Sequence, residues 1–199
     1  MPFDRVPGWV SRYDAAHPGS RWTVHAQAAT AESADGAHAH LAVPFAPLAD
    51  PTLEGLFAHL AQPWQLGLAL VRRGGFAVAR LDGASVVELK IGRRHVQGRT
   101  KAGGWSQQRF ARRRENQARA AFDAAAEHVE RILMPSAQSL QVLAVGGDRQ
   151  AVSSVLAHPQ LSPLAALPQL WLGGVSDPTR PVVDRAIDSA RSVTITLAP

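Results

Sequence analysis

The chain has 199 residues, the length of one large domain or two small ones, and 46% of them are hydrophobic against 19% charged. This balance excludes wholesale disorder, and the absence of cysteine excludes disulfides, thiolate metal sites and cysteine nucleophiles. The longest apolar runs fall far short of the roughly 20 residues that span a bilayer, and no signal-peptide pattern opens the chain. We therefore expect a cytoplasmic globular protein without membrane contact.

The basic charge is concentrated in one segment. Residues 90–119 contain ten basic residues and one acidic residue, a net charge of +9, whereas the rest of the chain has eleven basic and fifteen acidic residues, a net charge of −4. A solvated charged face is the ordinary explanation for four or five such residues. This density in an otherwise acidic chain favours a polyanionic partner instead, above all nucleic acid.

The N-terminal part predicts a small extension. Apolar and β-branched residues favour strands at 22–26 and 38–43, and the turn signal at 34–36 predicts that they form a hairpin. Three prolines then interrupt the pattern, and residues 53–61 predict a short helix that leads to Pro63. We therefore expect an N-terminal extension of a hairpin and a short helix, residues 1–62, and a main domain, residues 63–199.

The main domain begins with an antiparallel meander. An apolar run at 64–71 is followed by strand patterns at 76–81 and 85–91, and Asp82-Gly83 between the last two is a hairpin signal. The short spacing between these three segments predicts that they pair in sequence order.

Helices and strands alternate after the meander. A basic glycine-bearing loop at 98–104 precedes Ser106, a candidate N-cap for a long helix. The apolar stripe of that helix is Phe110, Ala118, Phe122, Ala125, Val129 and Ile132. The later elements are a strand at 140–145, a helix capped by Asp148 and ending near 156, a strand at 170–172 and a helix at 181–191. This order predicts an α/β (α+β) fold with an RNase H-like mixed sheet.

The most informative segment joins the basic loop to the long helix. Residues 98–116 read GRTKAGGWSQQRFARRREN. They resemble the central domain of eukaryotic and archaeal class-I release factors, whose hallmark is Gly-Gly-Gln followed by Ser-Ala-x-Arg-Phe-Ala-Arg-x-Arg. The positions that match in one register are Gly103, Gly104, Ser106, Arg109, Phe110, Ala111, Arg112 and Arg114.

The catalytic glutamine of that family is displaced in this chain. Trp105 stands at its position, and glutamines follow at Gln107 and Gln108. This displacement resembles the Vms-like peptidyl-tRNA hydrolase branch of the superfamily, and the arginine-rich, cysteine-free composition resembles its actinobacterial members. In element order the resemblance covers residues 64–191, and it does not cover residues 1–60.

The resemblance implies hydrolysis of the peptidyl-tRNA ester on the large ribosomal subunit, in ribosome rescue or quality control. The implied catalytic residues are Gln107 or Gln108, which would position a water, and Gly103 and Gly104, whose amides could bind the oxyanion. We favour Gln107 because it lies nearer the loop, and Gln108 stays open. No metal and no cofactor are expected.

The implied partners are the CCA end of peptidyl-tRNA and the RNA of the large subunit. The residues expected to bind RNA are Arg94, Arg99, Lys101, Trp105, Arg109, Arg112 and Arg113. Trp105 could stack on a base or pack the loop against the domain, and the sequence favours neither.

Two other functions remain open at this point. One is a non-catalytic ribosome- or RNA-binding rescue module, similar to the pelota-type relatives that keep the fold and lack the glutamine. The other is cleavage of tRNA near its CCA end. A metal site at His38-x-His40 lacks further ligands, and Asp82, Glu88, Asp148 and Asp184 do not form the pattern of an RNase H nuclease.

Overall fold

The computed structural model describes residues 1–93 and 105–198, with side chains for residues 1–93 and 119–198. The chain forms two compact units, one of residues 1–63 with 188–199 and the other of residues 64–187. None of the helices within the described ranges combines the length and apolarity needed to cross a membrane.

In chain order, the helices and strands are α1 (Val6–Ala16), β1 (Arg21–Val24), β2 (Ala28–Glu32), β3 (His38–Ala42), α2 (Leu53–Ala61), β4 (Gln65–Arg72), β5 (Gly75–Asp82), β6 (Ser85–Arg93), α3 (Trp105–Leu133), β7 (Val142–Gly147), α4 (Arg149–Leu156), α5 (Ser162–Ala165), β8 (Gln169–Leu172), α6 (Arg180–Ala190) and β9 (Ile195–Ala198). Short 3₁₀ segments precede α1, follow α3 and precede α5.

The first unit contains a four-stranded antiparallel sheet in the order β1-β2-β3-β9. Alternate sheet residues are buried, among them Ala29, Ala31, Ala39 and Leu41. Helix α1 buries Val6, Val10 and Tyr13, whose spacing of four and three places them on one helical face, and Tyr13 packs edge-on against Trp22 of β1 at 5.8 Å. Hydrophobic burial on one side of the sheet therefore holds this unit together.

The prediction that the first two strands of this unit pair with each other as a hairpin is wrong. The strands predicted at 22–26 and 38–43 exist as β1 and β3, but β2 lies between them and pairs with both. The signal at 34–36 is the β2–β3 turn, in which Gly36 has φ +86°. The alanine-rich sequence of β2 carries little strand signal, and Pro7 and Gly8 conceal α1, although a proline is tolerated in a first helical turn.

The C-terminal strand joins the first unit rather than the second. Strand β9 pairs with β3, with Leu41 opposite Ile195 and His38 opposite Ala198. The second unit begins at Trp64, and the predicted main domain, residues 63–199, therefore includes a C-terminal segment that the structure places with the N-terminal residues. A pairing between strands so distant in sequence leaves no local pattern, and the sequence did not predict it.

The second unit contains a five-stranded mixed sheet in the order β6-β5-β4-β7-β8. Neighbours β4, β5 and β6 are antiparallel, whereas β4 pairs parallel with β7 and β7 parallel with β8. The central strand β4 is buried from Leu66 to Val71, as expected for a strand covered on both faces. In the β5–β6 turn Gly83 takes φ +54°, a left-handed conformation that favours glycine. The predicted meander and the RNase H-like mixed sheet are confirmed.

Helix α3 packs across one face of this sheet. Its 29 residues correspond to a length of about 44 Å, more than the sheet strands span. The predicted stripe positions Ala125, Val129 and Ile132 are fully buried in a cluster with residues of β4, β5, β7 and α4, and Phe122 packs against that cluster. The prediction of Ser106 as the N-cap is wrong, because α3 already begins at Trp105 and Ser106 therefore lies inside the helix.

Helix α4 begins at a cap that the sequence predicted. The carboxylate of Asp148 accepts hydrogen bonds from the backbone amides of Gln150 at 2.9 Å and Ala151 at 3.2 Å. A cap of this kind contributes about 1 kcal/mol. The predicted strand at 170–172 and helix at 181–191 correspond to β8 and α6.

The packing of the core in the second unit predicts how much stability is lost when a buried side chain is shortened. Leu143 of β7 is fully buried in the cluster under α3, so Leu143→Ala should lower the free energy of unfolding by about 2–5 kcal/mol. Val87 of β6 is 48% exposed, so Val87→Ala should change it by no more than about 0.5 kcal/mol. Urea unfolding of the three proteins measures both effects, and equal losses would contradict the described core.

Candidate functional site

The predicted site residues fall in two groups. Arg94, Arg99, Lys101, Gly103 and Gly104 lie outside the described residues. The backbone of α3 includes the remaining positions, Trp105, Gln107, Gln108, Arg109, Arg112 and Arg113, and their side chains lie outside the description. Gln107 and Gln108 are thus in the first turn of α3, where helix amides have no partner within the helix.

The strand pairings define the sheet edge at which the chain leaves β6 toward residues 94–116, which we call the motif segment. Strand β6 ends at Arg93, which pairs with Gly75 of β5, and Gly75 pairs with Arg72 of β4. Beside them, Val71 pairs with Gly147 of β7. Because β4, β6, β7 and β8 all end at this edge, their carboxyl termini lie in one row. Ligands of open α/β sheets bind at such edges.

Four arginines surround this row, and we call Arg72, Arg73, Arg93 and Arg149 the basic edge. Arg73 lies in the β4–β5 turn, and Arg149 is the first residue of α4. The guanidinium of Arg149 lies 4.2 Å from the ring centroid of Trp171, a cation–π contact. The guanidinium of Arg72 donates to the carbonyl of Val175 at 2.9 Å.

The acidic groups nearest the basic edge already have partners. Asp148 caps α4, and Asp177 lies 3.5 Å from the guanidinium of Arg72. Within the described part of the chain, no carboxylate forms an ion pair with Arg73, Arg93 or Arg149. The edge therefore retains a positive character.

A close packing contact supports the end of β6 beneath this edge. A side chain on Gly92 would place its Cβ 2.3 Å from the ring of Phe76, so only glycine fits there. On the other side of Phe76 lies His128 of α3, with ring centroids 5.0 Å apart and planes inclined by 30°. The contacts among these three residues fix the end of β6 relative to α3.

The environment of His128 disfavours its protonated form. Partial burial is the main cause that lowers the pKa of His128, and the positive charges of Arg131 and Lys90 lower it further. The charge of Glu127 acts in the opposite direction and is the smallest effect. Folding therefore favours the neutral form of His128.

The competing constellations do not assemble in the described residues. His38 and His40 are exposed on β3 opposite Glu32 and Thr30, and no group of three potential metal ligands occurs among the residues with described side chains. Asp82 bonds to Gln65 at the far edge of the sheet, whereas Asp148 lies beside the basic edge, so these carboxylates do not converge.

Comparison with known families identifies the class of the protein. The chain contains a five-stranded mixed sheet and a long helix that begins with a release-factor motif, and the family model described as Actinobacteria/chloroflexi VLRF1 release factor matches residues 64–196. Because the match spans most of the chain, the protein belongs to this release factor family. The resemblance to release factors seen in residues 98–116 is confirmed at the level of the family.

A solved structure is also similar. The crystal structure of an archaeal translation termination factor, aRF1, matches with 16% sequence identity and a TM-score of 0.42. The match covers 80% of this chain and 51% of the archaeal chain, so this chain spans about half the length of that relative. A comparison with curated proteins finds no match.

The lowered pKa of His128 predicts that the free energy of unfolding depends on pH. Since its folded pKa is below its unfolded value of about 6.5, the unfolded chain binds more protons, and stability is lost as pH falls below that value. Wild-type protein should lose more unfolding free energy between pH 7.5 and 5.5 than His128→Gln does. Chemical denaturation at both pH values measures the difference.

A matched control separates this effect from the other histidines. His25 is exposed, and His25→Gln should keep the wild-type dependence. If His128→Gln and wild type lose equal stability on acidification, folding does not lower the pKa of His128.

Proposed function

We propose that the protein is a peptidyl-tRNA hydrolase that releases nascent chains from stalled complexes of the large ribosomal subunit. The observation that carries this proposal is the sequence Gly103-Gly104-Trp105-Ser106-Gln107-Gln108, whose last four residues open α3, in a chain of the release factor family. Such a role belongs to the cytoplasm, where translation occurs.

The first requirement of the reaction is a water held against the ester carbonyl. A glutamine amide donates and accepts at once, so it can orient a water without removing its proton. Gln107 and Gln108 are both in the first helical turn, and Trp105 and Ser106 separate them from the glycine pair. We assign this role to Gln107 first, because it lies nearer the glycines, and to Gln108 second.

The second requirement is stabilisation of the charge that develops on the carbonyl oxygen. Gly103 and Gly104 have no side chain that would prevent the ester from approaching the backbone, and their amides can donate to the oxyanion. The amides in the first turn of α3 add donors that the helix does not use.

The reaction balances without a metal or a cofactor. The water oxygen forms a bond to the carbonyl carbon, and the bond between that carbon and the ribose oxygen of the terminal adenosine breaks. The proton of the water passes to the departing ribose oxygen by way of the neighbouring ribose hydroxyl. The products are a peptide with a free carboxylate and an intact tRNA.

The third requirement is that the protein binds RNA. The motif segment supplies Arg94, Arg99, Lys101, Arg109, Arg112 and Arg113 as candidate phosphate ligands. Phosphate contacts position a nucleic acid without reading its sequence. They would place the CCA end and the RNA of the large subunit relative to the glycine pair.

One observation favours a second function. Trp105 occupies the position of the glutamine in release factors, and a protein that only binds the ribosome would need no glutamine there. The second candidate is therefore a non-catalytic rescue module that binds the large subunit through the same segment.

Substitution of the glutamines distinguishes the two functions. Gln107→Ala, or Gln108→Ala if that residue positions the water, should lower the release rate on the order of 100-fold, because one preorganised polar group is lost from the transition state. Binding to large subunits should stay unchanged. The assay follows a labelled nascent chain on isolated large subunits that carry peptidyl-tRNA.

The matched control is Gln160→Ala, an exposed glutamine in the 3₁₀ segment before α5, which should release at the wild-type rate. Release by wild type that survives the double substitution of Gln107 and Gln108 would exclude both residues as the water-positioning group. Wild-type protein that binds the subunit without releasing the chain would establish the non-catalytic module.

A further inference from the structure

The basic edge lies outside the release-factor motif in sequence, and it includes Arg93, the residue from which the chain leaves β6 toward the motif. Arg72 and Arg73 precede the motif segment by more than twenty residues, and Arg149 follows the whole of α3. The strand pairings bring them to the same sheet edge as Arg93, the last residue described before the motif segment. The sequence alone gave no reason to group these four residues.

The alternation of the strands places two of these arginines on one face. Val71 and Phe76 pair with each other and are buried under α3, and Phe76 pairs with Gly92. Their sequence neighbours Arg72 and Arg93 therefore lie on the opposite face. Gly75 of β5 pairs with both, so it lies between the two arginines in the sheet.

Two arginines of the basic edge are held by contacts within the protein, and the other two are free of ion pairs among the described residues. Arg72 is held in place by Val175 and Asp177, and Arg149 by the ring of Trp171. A guanidinium stacked on an aromatic ring still presents its N–H groups in the plane, where they can bind phosphate. Arg73 and Arg93 are exposed, and neither has a carboxylate partner among the described residues.

The distribution of charge between the two units favours an RNA ligand here. The second unit has seventeen basic and nine acidic residues, whereas the first has four basic and seven acidic residues. All of the excess positive charge is thus in the unit that contains the basic edge and the motif. A polyanion attracted to this unit meets both surfaces.

We propose that the basic edge is a second RNA-binding surface, which holds the phosphodiester backbone of RNA next to the origin of the motif segment. Arg73 and Arg93 contact phosphates directly, while Arg72 and Arg149 provide fixed positive charge on either side. The naming of RNA as the ligand rests on the proposed function. With this second surface, the placement of the substrate does not depend on the motif arginines alone.

The test removes two charges at the edge and, in a control, two charges elsewhere. Arg73→Gln combined with Arg93→Gln is compared with Arg12→Gln combined with Arg185→Gln, since all four arginines are exposed and without a described ion pair. The net charge falls equally in both variants. Binding is measured to a fluorescent single-stranded RNA and to isolated large ribosomal subunits over a range of salt concentrations.

The edge variant should bind both probes about tenfold more weakly, and the slope of log affinity against log salt should fall by about 0.7 for each lost contact to single-stranded RNA. The control variant should stay within about twofold of wild type. Equal losses in the two variants, or none in either, would overturn the proposal. A loss on subunits without a loss on naked RNA would overturn it as well, because it would show a protein contact.

The nascent-chain release assay keeps this proposal separate from the proposed function. If wild type releases no chain while the edge variant alone loses RNA affinity, the hydrolase function fails and the RNA surface stands. If wild type releases the chain while the edge variant binds RNA normally, the surface fails and the hydrolase function stands.

Discussion

The parallel pairing of β4 with β7 is the constraint on which the rest of the second unit depends. Two parallel neighbours require a connection that returns the chain to the starting edge of the sheet. Here β5, β6, the motif segment and α3 together form that connection, and α3 carries the chain back across the face. In the sequence, the motif therefore lies between the end of β6 at Arg93 and the part of α3 that packs on the sheet.

The core makes this placement stable. Ala125, Val129 and Ile132 anchor α3 in the cluster beneath it, and His128 meets Phe76 close to where Gly92 and Arg93 end β6. The residues that hold the helix are thus separate in sequence from the motif residues at its start.

The features that were predicted correctly from the sequence are those that depend on local sequence patterns. The stripe of α3 from Phe122 to Ile132, the Asp148 cap and the meander were predicted correctly because helix period, cap chemistry and short turns act between near neighbours, whereas the stripe positions Phe110 and Ala118 lie outside the described side chains. The pairing of β9 with β3, the intervening β2 and the grouping of Arg72 with Arg93 were not, since they depend on contacts between distant segments. For the site itself, the motif gave the residues and the family, and the fold added the edge from which the motif departs.

The most direct measurement of the central claim is the identity of the bond that is cleaved. Large subunits carrying peptidyl-tRNA are treated with the protein in water enriched in ¹⁸O, and both products are analysed by mass spectrometry. Ester hydrolysis predicts a released peptide with one ¹⁸O atom in its terminal carboxylate and a tRNA with its CCA end complete. A peptide that remains attached to nucleotides, together with a shortened tRNA, would contradict the account and show phosphodiester cleavage instead.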